Sequence, residues 1–574
     1  MKLRIGRILS LRIGLAVALI AILALAPGTA QAQHPKRDKL DKVLRQHIGA
    51  AKDDDAARVI ITMAPGARKG LRTRLRANGI SVSHDFSIIQ AVSGRLPARL
   101  LRKLEGDKDV LSISFDEDVT AADILSTVTG TAAGTPFTLR RTIGLEAVPG
   151  PNSLTGAGVT VAVIDSGMVQ DGGGTDRILT TRDFTTGDSE PPNVAPLDPY
   201  GHGTHVAGLV GGDQLEFLGV APGVKFVSLR VLDDLGRGST SYVIAAVQWA
   251  VAHKDQYGID VINMSLGHRI YEEAATDPLV QAVEAAVRAG IVVVCSAGNV
   301  GTNPQTGLVG YGGISSPGNA PSAITVGATR TQDTTSRADD TMAEYSSRGP
   351  SLIDGFAKPD LVAPGHRLVA AATADSHLYT TYPNLHENSV PERPYLKLSG
   401  TSMAAPTVAG SVALMLESSR GAYGMKLSPN AIKAILMATA FPLTDASGQP
   451  YHVLAQGAGA LNTAGALQFT QAVNPTVPVG AMWLVGPLDG ATTIDGQTIV
   501  WGNNIVWGDN IVWGDSLLYN SSAWAQNIVW GDNIVWGDNI VWGDNIVWGD
   551  NIVWGDSFQG SASSAAQSVL TSAK

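Results

Sequence analysis

Three short stretches of the chain carry residue types that together can perform nucleophilic chemistry. Residues 159–164 form a continuous apolar run that ends at Asp165-Ser166-Gly167. His202 lies in GHGTHVAG, residues 201–208, and Ser402 in LSGTSMAAP, residues 398–406. A serine hydroxyl is a weak nucleophile until an adjacent base takes its proton, and a base is most effective when a third group fixes its orientation. Serine, histidine and aspartate supply those three parts. Each motif alone has a plainer reading. An aspartate after a strand is often a turn residue, and Gly-Thr-Ser loops are common. His202 and His205 are three residues apart and could form half of a zinc site, but no third ligand with matching spacing appears and the pattern is not His-Glu-x-x-His.

The elements around these residues set their positions. The run 159–164 predicts a buried parallel strand with its carboxylate at the C-terminal end, where open α/β sheets place their sites. The glycines of GHGTHVAG permit close approach, and the apolar residues after them predict a helix. The serine motif runs into a helix-like stretch, 408–416, which places Ser402 at a helix start where backbone N–H groups point outward and can stabilise an anion.

Upstream, the pattern changes. Residues 58–63 predict a strand and 67–77 a helix stopped at Asn78-Gly79. Residues 80–86 and 88–96 predict two strands, Pro97 opens a helix to about Glu105, and 110–115 alternates as a half-buried strand does. The resulting order β-α-β-β-α-β is a split ferredoxin-like α+β arrangement. Charge also divides here. Residues 34–120 hold 17 Lys and Arg against 12 Asp and Glu, a balance of +5, whereas residues 121–574 hold 21 against 39, a balance of −18. Opposite signs favour docking of the first segment on the second. Between them TVTGTAAGT, residues 127–135, reads as a flexible, cleavable linker.

The ends of the chain have their own signatures. Lys2, Arg4, Arg7 and Arg12 precede an apolar run over 13–26, and Ala30-Gln31-Ala32 gives a small-x-small pattern. The run is short for a membrane span, so a cleaved secretory signal over 1–32 is expected, and with it a secreted product. At the other end, from 499 to 574, the unit Ile-Val-Trp-Gly-Asp-Asn recurs, with Trp501, Trp507 and Trp513 and then Trp524 through Trp554 at six-residue intervals. Three strand-favouring residues followed by three turn residues suit stacked turns, a small β-solenoid or a low-complexity spacer. Exposed tryptophans offer a contact to a cell surface, and the repeated aspartates a calcium site. Residues 471–498, holding Pro475, Pro478 and Pro487, read as a linker.

Composition bounds the function. A 574-residue chain that is 44% hydrophobic with 64 glycines suits a globular α/β protein of several domains, and a net charge of −9 argues against nucleic acid as the main partner. One cysteine, Cys295, allows no internal disulfide framework, and its place after Ile291-Val292-Val293-Val294 marks it as a core thiol.

The runs VAVIDSG, GHGTHVAG, VINMSLG, SAGN and GTSMAAP, in that order, resemble the signature blocks of the subtilase family. Residues 218–222, 323–328, 345–350 and 358–365 match supporting blocks, and QGAGALNTAGAL, 456–467, resembles the family's closing segment. The order Asp, His, Ser is the one subtilisin has, unlike chymotrypsin or the α/β-hydrolases. The resemblance spans about 136–470. It implies a subtilisin-like parallel sheet flanked by helices, preceded over 33–126 by an inhibitor-type prosegment. It implies a serine endopeptidase acting on proteins and peptides through an acyl-enzyme, with Asp165, His202 and Ser402 as triad. Asn299 aligns with the oxyanion residue, and Ser265, Leu266 and Gly267 with the segment that pairs with substrate. The prosegment would act as intramolecular inhibitor and chaperone. The chemistry requires no cofactor. The interval after His202 lacks the asparagine-rich calcium loop of secreted subtilisins, so that site is not transferred, and calcium elsewhere stays unassigned. Asp213 and Glu216 in that interval are expected at the surface, and residues 373–395 as a surface loop. The competing reading is an adhesive protein that works through its repeats and carries an inert protease domain. The complete set of Asp165, His202, Ser402 and Asn299 argues for the enzyme.

Overall fold

The computed structural model describes residues 38–121, 138–150, 152–169, 177–303 and 306–501. The expected signal, the linker at 127–135 and the repeats beyond Trp501 lie outside these residues. Internal contacts divide the chain after Lys39, and the elements that carry Asp165, His202 and Ser402 all lie in the unit that begins at Leu40.

The body is built on a sheet whose strands read as near-continuous apolar runs because both faces are covered. In spatial order it runs Ile178–Asp183, Lys225–Arg230, Thr160–Asp165, Ile259–Met264, Val292–Ser296 and Ile324–Arg330, all parallel, and Leu361–Pro364 continues parallel to the last. The short strand Thr341–Met342 pairs antiparallel at that end. Alternate side chains face opposite layers. Val161 and Val163 join a core with the helices His202–Gly211 and Thr401–Tyr423. Ala162 and Ile164 face the helices Thr240–Ala252 and Pro278–Arg288. Asp165 therefore ends a central strand beside the two helices that begin with His202 and just before Ser402.

The N-terminal module has the element order read from its sequence. Its antiparallel sheet runs Val82–Phe86, Ala91–Pro97, Ala56–Met63, Val110–Phe115, with helices Arg68–Ala77 and Ala98–Glu105. A further helix, Lys42–Ala50, was not foreseen; Asp41 caps it by accepting from the Leu44 N–H at 2.7 Å. One sheet face makes a core of its own with Leu44, Leu71 and Leu101. The other face, with Ile60, Phe86 and Ala91, packs against Val243 and Ile244 of the body. The docking is not the meeting of basic and acidic surfaces that net charge suggested. Arg58, Arg68, Arg72, Arg74, Arg99 and Arg102 pair with carboxylates of the module itself. The contact joins this apolar face to main-chain pairing of Asp118–Ala121 with two short body strands, to Gln248 Oε1, which accepts from the Ser87 hydroxyl and the Ile88 N–H, and to Asp116. Ser239, the cap residue of the body helix Thr240–Ala252, makes no side-chain cap bond, and Asp116 accepts instead from the Ser241 N–H and hydroxyl, both at 2.8 Å.

Two segments read as irregular are built into the body. Within 373–395 lie the helix His377–Thr381 and the strand His386–Glu387, which pairs with Tyr395–Leu398; Leu378, Leu385 and Tyr395 are buried. Prolines and polar residues concealed these anchors. Residues 471–501 are likewise packed rather than linking. Trp483 and Trp501 are 1% and 3% exposed, and Ala491–Ile494 pairs with Gln497–Val500 as a hairpin that buries Ile494. The first Ile-Val-Trp unit, Ile499 to Trp501, thus belongs to the body, with Ile499 and Trp501 inward and Val500 outward.

Candidate active site

Asp165 and His202 meet directly. His202 Nδ1 lies 2.7 Å from Asp165 Oδ1, and both side chains are fully buried. The Ser166 N–H donates to the same oxygen at 2.7 Å, which fixes the carboxylate plane. A carboxylate so placed holds the imidazole with Nδ1 protonated and Nε2 as the basic nitrogen. Glycine makes the approach possible: a Cβ on Gly203 would lie 2.0 Å from the Gly167 carbonyl oxygen and 3.2 Å from Asp165 Cβ.

Ser402 opens the long buried helix Thr401–Tyr423. Its Oγ donates to the Ser265 carbonyl at 3.0 Å, and Ser265 Oγ donates back to the Ser402 carbonyl at 2.9 Å. The reciprocity has a cause in the sequence. Pro406 lacks the N–H that would bond the carbonyl four residues earlier, which is that of Ser402. The Ser265 hydroxyl supplies the donor, and Asn263 Nδ2 in turn donates to it at 3.0 Å. Residues 263 and 265, at the end of the strand beside that of Asp165, thereby hold the first turn of the serine helix in place.

Asn299 stands beside this turn. Its Oδ1 accepts from the Thr401 N–H at 2.9 Å and from Thr401 Oγ1 at 3.1 Å. With Oδ1 committed to the residue before Ser402, the amide orientation is set and its N–H2 end is directed away from Thr401. Leu266–Gly267 forms a strand that pairs antiparallel with Asp118–Ala121 of the N-terminal module, Leu266 opposite Ala121 and Gly267 opposite Thr120. The other edge of Asp118–Ala121 pairs with Arg237–Ser239. An extended segment thus lies between two short strands of the body, one of them contiguous with Ser265.

Other residues take different places. His205 Nε2 lies 3.1 Å from the carbonyls of Leu368 and Leu396, so that nitrogen ties the helix to its neighbours. Among the described residues no group of three or more His, Cys, Asp or Glu side chains is placed to hold a metal ion. Asp213 is half-buried and pairs with Arg177 at 3.5 Å, while Glu216 is exposed. Cys295 is fully buried, and burial pushes its thiol up to about 12.

Several supporting residues escaped the sequence reading. Asp198, buried, accepts from the Ser166 hydroxyl and from the N–H groups of Gly201 and Thr204. The segment 373–395 braces the loop before His202: the N–H groups of His377 and Leu378 donate to the Pro199 and Tyr200 carbonyls at 2.8 and 3.0 Å, and His377 stacks on Tyr200. An aspartate four residues before a helix that starts with glycine and histidine is the signal that could have found Asp198.

Comparison with known proteins agrees with this fold. The Subtilase family model matches residues 156–463. The chain is 36% identical over 326 residues to serine protease AprX of Bacillus subtilis, covering 55% of this chain and 68% of that one. It is 30% identical over 345 residues to subtilisin E of the same organism, covering 59% and 73%. In fold it resembles fervidolysin of Fervidobacterium pennivorans, with a TM-score of 0.54 at 22% identity, over 77% of this chain and 63% of that one. The chain belongs to the subtilase family of serine endopeptidases.

Proposed function

We propose that Ser402 attacks the carbonyl of a scissile peptide bond, giving an acyl-enzyme that water then hydrolyses. His202 takes the serine proton and returns it to the leaving amine. Asp165 holds the imidazole tautomer and stabilises the imidazolium. The carbonyl oxygen becomes negative as Ser402 adds, and the Ser402 N–H with the Asn299 amide N–H2 receives that charge. The observation that carries this reading is the Asp165–His202 contact, 2.7 Å long and closed to solvent. Burial lets the carboxylate act on the imidazole at low dielectric rather than on water. Ser402→Ala tests it: the variant should fold and lose peptide hydrolysis, and near-normal hydrolysis by a folded variant would overturn the assignment.

Residues 33–126 act as the prosegment of this enzyme. The strand Asp118–Ala121 occupies the place of a substrate strand, because main-chain pairing with Leu266–Gly267 is how an extended peptide would be gripped. The same pairing makes the cleft inaccessible until the module leaves. The basic, then apolar, leader over 1–32 routes the product out of the cell. A chain begun at Pro136 should yield little active enzyme, and full activity from it would count against a prosegment role.

A further inference from the structure

We propose that Asp198 is a positioning residue for the general base, acting both as a mechanical brace and as a charge that keeps His202 basic. The inference rests on the reading of His202 as that base.

The geometry is specific. The helix His202–Gly211 begins after Gly201, which sits in the left-handed region and offers no side chain to cap the first turn. Helix starts leave N–H groups without partners, and a buried start must find them acceptors. Asp198 supplies them from four residues upstream. Its Oδ1 accepts from the Gly201 N–H at 2.8 Å and from the Ser166 hydroxyl at 2.7 Å, and its Oδ2 accepts from the Thr204 N–H at 2.7 Å. Ser166 Oγ then accepts from the Gly203 N–H at 2.9 Å. Ser166 follows Asp165 in the chain, and Gly201 and Gly203 flank His202. One buried carboxylate therefore fastens the strand end that carries Asp165 to the helix start that carries His202, and so fixes their separation.

The charge has a second effect. The positive end of a helix dipole lies at its first turn and disfavours a cation there. His202 is the first helical residue, and its imidazole must become a cation during turnover. An anion bound to the N–H groups of that turn offsets the dipole. Burial raises the pKa of Asp198, and the four donors around it, the Thr204 hydroxyl included, oppose that rise. The titratable and charged groups around His202 are Asp165 on the strand, Asp198 on the loop, Tyr200 with its ring tilted at 42° and centred 6.4 Å away, His377 stacked on the Tyr200 ring, and His205 one turn along its own helix.

Asp198→Asn keeps the shape and removes the charge and one acceptor. The expected result is a fall in kcat of roughly tenfold or more with KM within about threefold, because the loss is felt in the transition state rather than in substrate binding. The acid limb of the kcat/KM profile should also move down by about one pH unit, since the imidazolium loses a stabilising anion. Ser166→Ala cuts the brace but keeps the charge, so kcat should fall with the acid limb in place. A merely structural role would lower the melting temperature and leave the pH profile unmoved. Asp198→Asn with wild-type kcat and an unmoved acid limb overturns the proposal. If that variant does not fold, Ser166→Ala decides: unchanged kcat overturns the brace. His202→Ala separates the two levels of reading. An inactive His202→Ala beside a wild-type-like Asp198→Asn refutes only the role of Asp198, and an active His202→Ala refutes the base itself.

Discussion

Raising the pH should loosen the N-terminal module from the catalytic body. Where the two meet, carboxylates face one another: Asp41, Asp116, Glu117 and Asp118 from the module, Glu272 and Asp277 from the body. Burial, then Asp41 and Asp118, push Glu117 up from an ordinary 4.5 to about 7, with Arg58 opposing. Burial, then Asp277, push Glu272 from 4.5 to about 8. Asp41 and Asp116 are raised as well, again chiefly by burial. Docking takes up protons to the extent that the other partner supplies the rise, by burying Glu117 and Glu272 and by setting Asp277 of the body against Asp41 and Asp41 of the module against Glu272. The contribution of these groups is complete below about 4.5 and is lost as pH rises through 7 to 8. Each group can weaken docking up to tenfold per pH unit inside that window. Glu117 and Glu272 are only half-buried by surface area, and solvent screening reduces the effect. We expect about a tenfold higher Kd at pH 7.5 than at pH 5.5. Calorimetric titration of the Ser402→Ala body, folded together with the N-terminal module, cut from it in trans and separated, with added module reads binding without turnover. Glu117→Gln and Glu272→Gln together should flatten the dependence. A Kd that is flat with pH, or tighter at pH 7.5, would show that these carboxylates do not control docking.

Asn299→Ala should lower kcat about 10²–10³-fold with KM little changed, since the amide acts on charge that develops only in the transition state; steady-state kinetics on a short peptide checks it. Trp501→Ala should destabilise the body by about 3–5 kcal/mol in chemical denaturation, because the ring is buried beside Phe469. Truncation after Trp501 should leave short-peptide hydrolysis within a few-fold of the full chain, whereas truncation after 470 should not give a stable enzyme. The N-terminus of the mature enzyme, read by mass spectrometry, should fall within 122–137, between the strand Asp118–Ala121 and the helix Thr138–Thr142.

The central strands and the two helices that carry His202 and Ser402 were legible because their residues obey one rule each: continuous apolar runs for strands covered on both sides, and glycine-led motifs for close-packed helix starts. The β-α-β-β-α-β order of the module was legible for the same reason. What escaped depended on tertiary partners. Nothing local says that Asp198 will reach Ser166, or that the Ser265 hydroxyl will serve a carbonyl left open by Pro406 some 140 residues later. Segment 373–395 looked like a loop because its anchors Leu378, Leu385 and Tyr395 are spaced without helix or strand period. The mode of docking was misjudged from net charge, which cannot show that a domain's arginines are already paired within it.

The proposed reaction requires that His202 activate Ser402 as the nucleophile. The most direct measurement is phosphonylation of the mature enzyme by a fluorophosphonate probe, followed by peptide mass spectrometry. A single adduct on Ser402 is expected, formed rapidly in the wild type and lost in Ser402→Ala and in His202→Ala. A wild-type protein that stays unlabelled, or labelling that survives in His202→Ala at the wild-type rate, would contradict that requirement.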